Sequence, residues 1–504
     1  MNDTADSRAF ASDFVGYMNE ACTAFHAVEA SRARLLARGF VEVDERDAWA
    51  LFRGGKYFFV RNTTTLIAFA IGGKYEAGNG YTVLGAHTDS PCLRLKPVPC
   101  LKKNEYLMLN TQPYGGGLWH TWFDRDLGIA GRVVLNGSNG LESRLVRIDE
   151  PVARIPNLAI HLTSGKERES FEPNLHEHAK AILTHVPTNV DFSDATLAED
   201  TKARLNPFLL ALVAKQLDVP AASIADMELQ LIDVQPSCVG GASGEFIFSG
   251  RHDNLCSAYQ CVRAITDECD ATLADATNVR MIMLFDHEEV GSASCTGAGS
   301  SLFMNTLQLI NQCLTDGTPS ALMRSLRKSF VVSIDMAHGL HPNYPAKHDS
   351  TMAPKVNLGL VIKHNANQVG TRSLPLLPLR VLTLSLSLSH SQTAAIRHQC
   401  SERVALPRLR QGRGRARAGV HRAQRRRLRL HHRTRHRHAL RHPHRRLRLP
   451  AVQHALDPGD DGRLRRVQRL PRAEGRAAAP PGLGALRQRT QLDSSASENS
   501  RGSG

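Results

Sequence analysis

The chain reads as an α/β protein with a smaller β-rich domain inserted in it and a basic, disordered C-terminal tail. Three observations predict this. Several apolar runs of strand length end in His, Asp or Glu, as strands do at the carboxyl edge of an open α/β sheet. Between about Cys92 and Met227 the texture changes to short strands and glycine-rich turns such as Tyr114-Gly-Gly-Gly117, and strand–helix alternation resumes at Glu228. After Gln368 the composition changes abruptly. The expected divisions are 1–91 and 228–368 for two parts of one domain, 92–227 for the insert, and 369–504 for the tail.

Taken in order, Ser7 to about Gly39 has helical periodicity, with Phe10, Phe14, Met18, Cys22 and Phe25 on one face. Strands follow at Lys56–Asn62 and Thr65–Ile71, then Tyr81–Ser90. Regularity is low around Ser164–Ala181. Beyond the Gly240-Gly-Ala-Ser-Gly244 turn the sequence predicts a short strand at Glu245–Ser249 and a helix near Ala258–Cys269. A strand from Arg280, a helix near Ser300–Thr315 and a strand from Ser329 complete the series.

The chemistry gathers at the strand ends. Arg280-Met-Ile-Met-Leu-Phe-Asp-His-Glu-Glu-Val-Gly-Ser292 runs into Glu288 and Glu289, with a glycine for a sharp turn. In extended backbone, neighbouring side chains point oppositely, so one carboxylate is expected to bind metal while the other faces water or substrate. The strand from Tyr81 delivers His87 and Asp89, the strand from Ser329 delivers Asp335 and His338, and Asp253 follows the Glu245 strand. Imidazole and carboxylate without thiolate suit a catalytic zinc site, read here as two metals bridged by a carboxylate.

The formal charge of +15 is unevenly placed. From Val369 onward there are 30 Arg, no Lys and 7 acidic residues, which leaves 33 basic and 41 acidic residues before it, a net of −8. The body is therefore ordinary and acidic. Ten cysteines without a CxxC pair point to reduced thiols in a cytoplasmic protein, with Cys256 and Cys261 as buried bystanders. The polar N-terminus does not read as a secretory signal, and no apolar run reaches transmembrane length.

Gly85-Ala-His-Thr-Asp-Ser-Pro, Trp122-Phe-Asp-Arg-Asp-Leu, Ala159-Ile-His-Leu, Asp286-His-Glu-Glu-Val-Gly-Ser and Asp335-Met-Ala-His-Gly-Leu-His-Pro-Asn-Tyr together resemble the aspartyl aminopeptidase family of metallopeptidases, in order, from about residue 10 to Gln368. The resemblance implies a zinc-peptidase α/β sandwich with an inserted dimerisation domain, dodecameric self-association, and two Zn2+ per subunit. It implies zinc-dependent removal of N-terminal Asp or Glu from peptides. Carried over by position, His87, Asp253, Glu289 and Asp335 are zinc ligands, with Asp253 bridging. Glu288 is the general base, Asp89 orients His87, and His161, His338 and Lys363 contact substrate. His120, His252, His287 and His341 are assigned to packing or surface.

The resemblance stops after Val361-Ile-Lys-His-Asn-Ala-Asn-Gln368. The family would continue Arg-Tyr-Ala-Thr-Asn-Ala, then Gly-Cys-Gly-Ser-Thr-Ile-Gly-Pro, then Ser-Met-His-Ser-Ile-Arg-Glu, whose His is the remaining ligand. Each is recovered, in that order, from Ala395–Glu402, Arg427–Arg435 and Gln453–Asp460 by choosing suitable codons and reading one base forward. A retained short intron accounts for this: Val369 must use a GTN codon, which contains a donor GT, and Ala394-Ala395 can supply an acceptor CAG. The tail is then a frame-shifted translation, its charge carries no information about partners, and the chain is impaired by the missing ligand. The competing readings are a pseudopeptidase whose Arg-rich arm binds nucleic acid, and a dinuclear aminopeptidase of other specificity. Sequencing the spliced transcript across the codons for Asn365 to Arg403 should show those for Val369 to Ala394 absent; their presence in mature message overturns the intron.

Overall fold

The computed structural model describes residues 5–185, 204–315 and 317–363, and the backbone of 380–387. Two helices open the chain, Ala5–Glu20 and Ala24–Ala37, where the periodicity runs on unbroken. Thr23 divides them. Its hydroxyl accepts from the His26 backbone N–H at 3.3 Å and caps the second helix. The apolar pattern hides this break because Phe14, Met18, Cys22 and Phe25 are buried on both sides of it.

Strands β1 (Val41–Glu42), β2 (Lys56–Arg61), β3 (Thr65–Ile71) and β4 (Tyr81–His87) begin the first sheet. The chain then leaves it. β5 (Cys92–Lys103), β6 (Tyr106–Tyr114), β7 (Leu127–Gly137), β8 (Gly140–Ala153), β9 (Ala181–His185) and β10 (Ile224–Asp233) form a separate six-stranded antiparallel sheet, in the order β8-β7-β10-β5-β6-β9. A small hairpin of β11 (Cys238–Gly240) and β12 (Phe246–Phe248) leads back. β13 (Val279–Phe285), β14 (Phe330–Met336), β15 (Gly359–Ile362) and β16 (Arg380–Ser387) complete the first sheet, ordered β1-β2-β3-β13-β4-β14-β16-β15.

The first sheet is covered on both faces, and β3 shows why its sequence is apolar throughout. Ile67, Phe69 and Ile71 point to one core, with Met281, Met283 and the helices Leu302–Leu314 and Pro319–Lys328. Leu66, Ala68 and Ala70 point to the other, against Ala258, Cys261, Val262 and Ile265 of the helix His252–Thr272. Side chains alternate across a strand, so burial on both sides leaves no polar position. The second sheet has its own core, which the helix Pro207–Leu217 seals with Leu209, Leu210 and Val213.

The stretch of low regularity contains two short helices, Gly165–Glu169 and Leu175–His178. The Leu/Ser segment, expected to contribute no packed structure, supplies β16, parallel to β14 with Asp335 opposite Ser385. Leu382, Leu384 and Leu386 alternate with Thr383, Ser385 and Ser387, a two-residue period that matches an available sheet edge. The Arg-rich tail, including His454, lies outside the described residues. Among the described residues no helix is long and apolar enough to cross a membrane, and the nine described cysteines are free.

Phe69 is fully buried between Trp49 and Tyr57, with ring centroids at 5.7 and 5.6 Å. Phe69→Ala should cost about 3–5 kcal/mol in chemical denaturation, and a loss below about 1 kcal/mol would contradict this packing.

Candidate metal centre

Three neighbouring parallel strands, β13, β4 and β14, end at one edge of the first sheet. Phe285 stands opposite His87 across β13 and β4, and Ser333 opposite Gly85 across β14 and β4. Two residues beyond Ser333, Asp335 is brought level with His87. Asp253 arrives from a non-helical turn at the start of the helix His252–Thr272, with φ −83° and ψ 106°. Ser90 Oγ donates to the Asp253 carbonyl at 2.9 Å, and Asn254 Nδ2 donates to the Ile334 carbonyl at 2.8 Å. The turn is thereby tied to the loop that follows β4 and to β14.

His87 is buried, and its Nε2 meets Asp253 Oδ1 at 3.2 Å, Glu288 Oε2 at 3.8 Å and Asp335 Oδ1 at 3.8 Å. Its Nδ1 lies 3.0 Å from the Asp89 carbonyl and 3.3 Å from Asp89 Oδ1. With acceptors on that side, the proton of a neutral ring belongs on Nδ1, which leaves the Nε2 lone pair aimed at the carboxylates.

Glu288 and Glu289 correct one expectation. They lie in a 3-10 turn, Glu288–Val290, between His287 in the left-handed region at φ 62° and Gly291 at φ 98°. Their side chains therefore do not diverge as in a strand. Ligand atoms of His87, Glu288 and Glu289 lie within 4.8 Å of one another, as do those of His87, Asp253 and Asp335. The two groups share His87.

The donor chemistry fits divalent cations. Among the described residues Asp253, Glu288, Glu289 and Asp335 have no Arg or Lys ion-pair partner; three of them pair only with His87 and Glu289 has no ion pair. Four carboxylates round one imidazole leave negative charge that a cation must balance. Without a cation, protons take that role. Burial, then crowding by Asp253, Glu288 and Asp89, pushes Glu289 up to about 7 against the pull of His87. Burial and the same kind of crowding raise Glu288. Burial works against protonating His87, yet Asp253, Asp335 and Asp89 hold its pKa well above the imidazole range. Burial would raise Asp89 and Asp335, and their contacts with His87 hold both low instead.

The remaining assigned residues stand apart. Lys363 donates to the Met336 carbonyl at 3.2 Å, one residue beyond Asp335. His338 is exposed and tilted against His348, with ring centroids 5.7 Å apart. His161 is exposed on the 3-10 turn Ile160–Leu162, and among the described residues it has no hydrogen bond or ion pair with the cluster. His287 accepts or donates within its own loop, 2.7 Å from Ser294 Oγ. His252 Nε2 lies 3.3 Å from the Ile247 carbonyl, while His120 and His341 are exposed. Sequence reasoning overlooked Tyr114, whose hydroxyl donates to Asp89 Oδ2 at 2.7 Å. Its motif reads locally as a glycine turn, and nothing in the local pattern points across to another sheet.

An α/β sandwich with imidazole and carboxylates converging at its strand ends defines a metallohydrolase-type centre. Residues 17–378 match the family described as aminopeptidase I zinc metalloprotease (M18), and the chain belongs to that family. The Ricinus communis protein named "Probable aspartyl aminopeptidase" is 46% identical over 382 residues, covering 71% of this chain and 77% of that protein. The aspartyl aminopeptidase of Aspergillus oryzae is 40% identical over 383 residues, with the same coverage. A chain in the cryo-EM structure of the Ape4 and Nbr1 complex superposes with a TM-score of 0.72 at 33% identity, covering 77% of this chain and 84% of that one. Chaetomium thermophilum mApe1 gives 0.69 at 28%, covering 75% and 91%.

Metal ligands must be deprotonated. Since Glu289 titrates near 7 and Glu288 and His87 are raised, zinc uptake at pH 7 should release protons and weaken as pH falls. Calorimetry in buffers of different ionisation enthalpy measures this, and pH-independent binding without proton release would contradict the cluster as described.

Proposed function

We propose that this protein is a zinc aminopeptidase that removes N-terminal Asp or Glu from peptides, and that the chain as written is impaired. The observation carrying this reading is the convergence of His87, Asp253, Glu288, Glu289 and Asp335 at one sheet edge in a member of a zinc metalloprotease family. His87, Asp253, Glu289 and Asp335 would hold the two zinc ions that the family resemblance implies. When bound, such a pair acidifies water and polarises a carbonyl. Glu288, whose Oε2 lies 3.8 Å from His87 Nε2 at the same cluster, would take the attacking water's proton and return it to the leaving amine. Asp89 keeps the proton of His87 on Nδ1.

Preference for acidic N-termini is supported by the names of the relatives and by Lys363, whose ammonium lies beside the end of β14. His161 and His338 are assigned to substrate contact from the family resemblance. Leu158, Ile160, Leu162 and Phe171 leave an apolar surface exposed around His161. Such a face suits contact with another copy, so self-association into a homo-oligomer, dodecameric in the family, belongs to this reading. Free thiols and the acidic body suit a cytoplasmic enzyme that binds neither membrane nor nucleic acid.

The impairment follows from the frame. The family match ends at residue 378, and the Ricinus communis and Aspergillus oryzae relatives are each covered over 77% of their length. Suitably chosen codons for Ala395–Glu402, Arg427–Arg435 and Gln453–Asp460, read one base forward, would supply the remaining family motifs, including one ligand. Expressed side by side, a chain translated without the Val369–Ala394 codons and the first base of the Ala395 codon, which restores the shifted frame, should release N-terminal Asp at a rate at least about 100-fold above the 504-residue chain. It should lose that activity to chelation, and lose about 100-fold or more with Glu288→Gln. Equal activity of the two chains would overturn the impairment. Preference for N-terminal Leu over Asp and Glu would overturn the specificity.

A further inference from the structure

We propose that Tyr114, held by Arg94, is a positioning residue of the metal centre, through which the inserted sheet sets the geometry of the ligands on the first sheet. The inference rests on reading the His87 cluster as a metal centre. Asp89 is buried, and both of its oxygens are occupied. Oδ1 accepts the Glu288 backbone N–H at 3.2 Å and faces His87 Nδ1 at 3.3 Å. Oδ2 accepts the Glu289 backbone N–H at 3.1 Å and the Tyr114 hydroxyl at 2.7 Å. One carboxylate therefore orients a ligand imidazole and the backbone of the turn that carries both glutamates. The Tyr114 bond is the shortest of these contacts and the only one supplied from β6. A buried carboxylate that loses such a donor is left with an uncompensated charge or must move.

Tyr114 is itself fixed. It pairs with Cys92 across β5 and β6, and the Arg94 guanidinium lies 3.7 Å from its ring centroid. Arg94 also pairs with Glu228 of β10 at 3.5 Å, so the tyrosine is clamped within the second sheet. A cation over the ring face holds the ring without competing for its hydroxyl. Burial and the neighbouring carboxylate keep the phenol protonated, and hence a donor to Asp89.

The next residue makes a second, independent contact with the same turn. Gly115 has φ +75°, and a Cβ built there would stand 2.9 Å from Glu289 Cβ and 3.3 Å from Glu289 Oε2. Only glycine combines that conformation with so close an approach. The end of β6 thus touches the centre twice, through a hydrogen bond to Asp89 and through backbone against Glu289.

The test is Zn2+ affinity of the full chain, measured by competition with a chromogenic chelator. Second-sphere partners are worth about 10- to 100-fold in metal affinity, so Asp89→Asn should lose that much and Tyr114→Phe about 3- to 10-fold. If Tyr114 acts through Asp89, the two losses are coupled, and Tyr114→Phe should have no further effect in the Asp89→Asn background. A tyrosine that merely supports the fold would lower affinity by the same factor in both backgrounds. Gly115→Ala, which displaces Glu289 by a different route, should also weaken binding, and it carries the test if Tyr114→Phe does not fold. Unchanged affinity in Tyr114→Phe, or in Gly115→Ala where that variant stands in, overturns the inference, as do additive losses in the double variant. A parent chain that binds no zinc, either as written or with the reading frame restored, overturns the metal-centre reading and the inference with it.

Discussion

Four carboxylates crowd one imidazole at the edge of the first sheet, and much of the surrounding structure holds them there against their mutual repulsion. Asp89 is central to this. It lies two residues beyond His87, supports that ring, and receives the backbone amides of the Glu288–Glu289 turn. Asp253 is secured by Ser90 and, through Asn254, by the strand that delivers Asp335. Each acid is held by neighbours that also hold another acid. A cation placed among them is bound by a geometry already formed.

The layers around the cluster explain how strand ends become a rigid platform. β3 and β13 are buried on both faces, with alternate residues committed to different cores. Sliding one strand by a residue would exchange the bulky and small faces, so the register that sets His87 beside Phe285 is strongly specified. The second sheet has its own core and helix, yet it is not a passive appendage. The end of β6 returns to the first sheet where the ligands converge.

Other assigned residues lie outside the cluster. His161 stands exposed on the 3-10 turn Ile160–Leu162, beside the exposed Ile160 and Leu162. Lys363 lies next to the carboxylate strand, just before the family resemblance fails. β16 occupies the sheet beside β14 although its sequence belongs to the segment read as intronic. A two-residue alternation of Leu with Ser or Thr is sufficient for strand pairing and says nothing about chemistry.

Strand-end chemistry was legible in the sequence because it is local. An apolar run followed by His87-Thr-Asp89 or Glu288-Glu289 carries its own strand and its own donors, and linked motifs place them in one family. The change of texture at Cys92 falls where β5 begins, whereas β10 carries the second sheet past Glu228 to Asp233. The break at Thr23 was not legible, because both helices present the same apolar face to the core. The joint orientation of Glu288 and Glu289 was also illegible, since it depends on left-handed backbone at His287 as well as at Gly291, and a histidine does not announce that conformation. By itself the sequence determined the layered class and the family, although the family match runs to residue 378, past the Gln368 at which its motifs stop. Tertiary structure alone decided that Tyr114 of the other sheet reaches Asp89 and that Gly115 presses on Glu289, because a hydrogen bond between distant strands leaves no periodic trace in either of them.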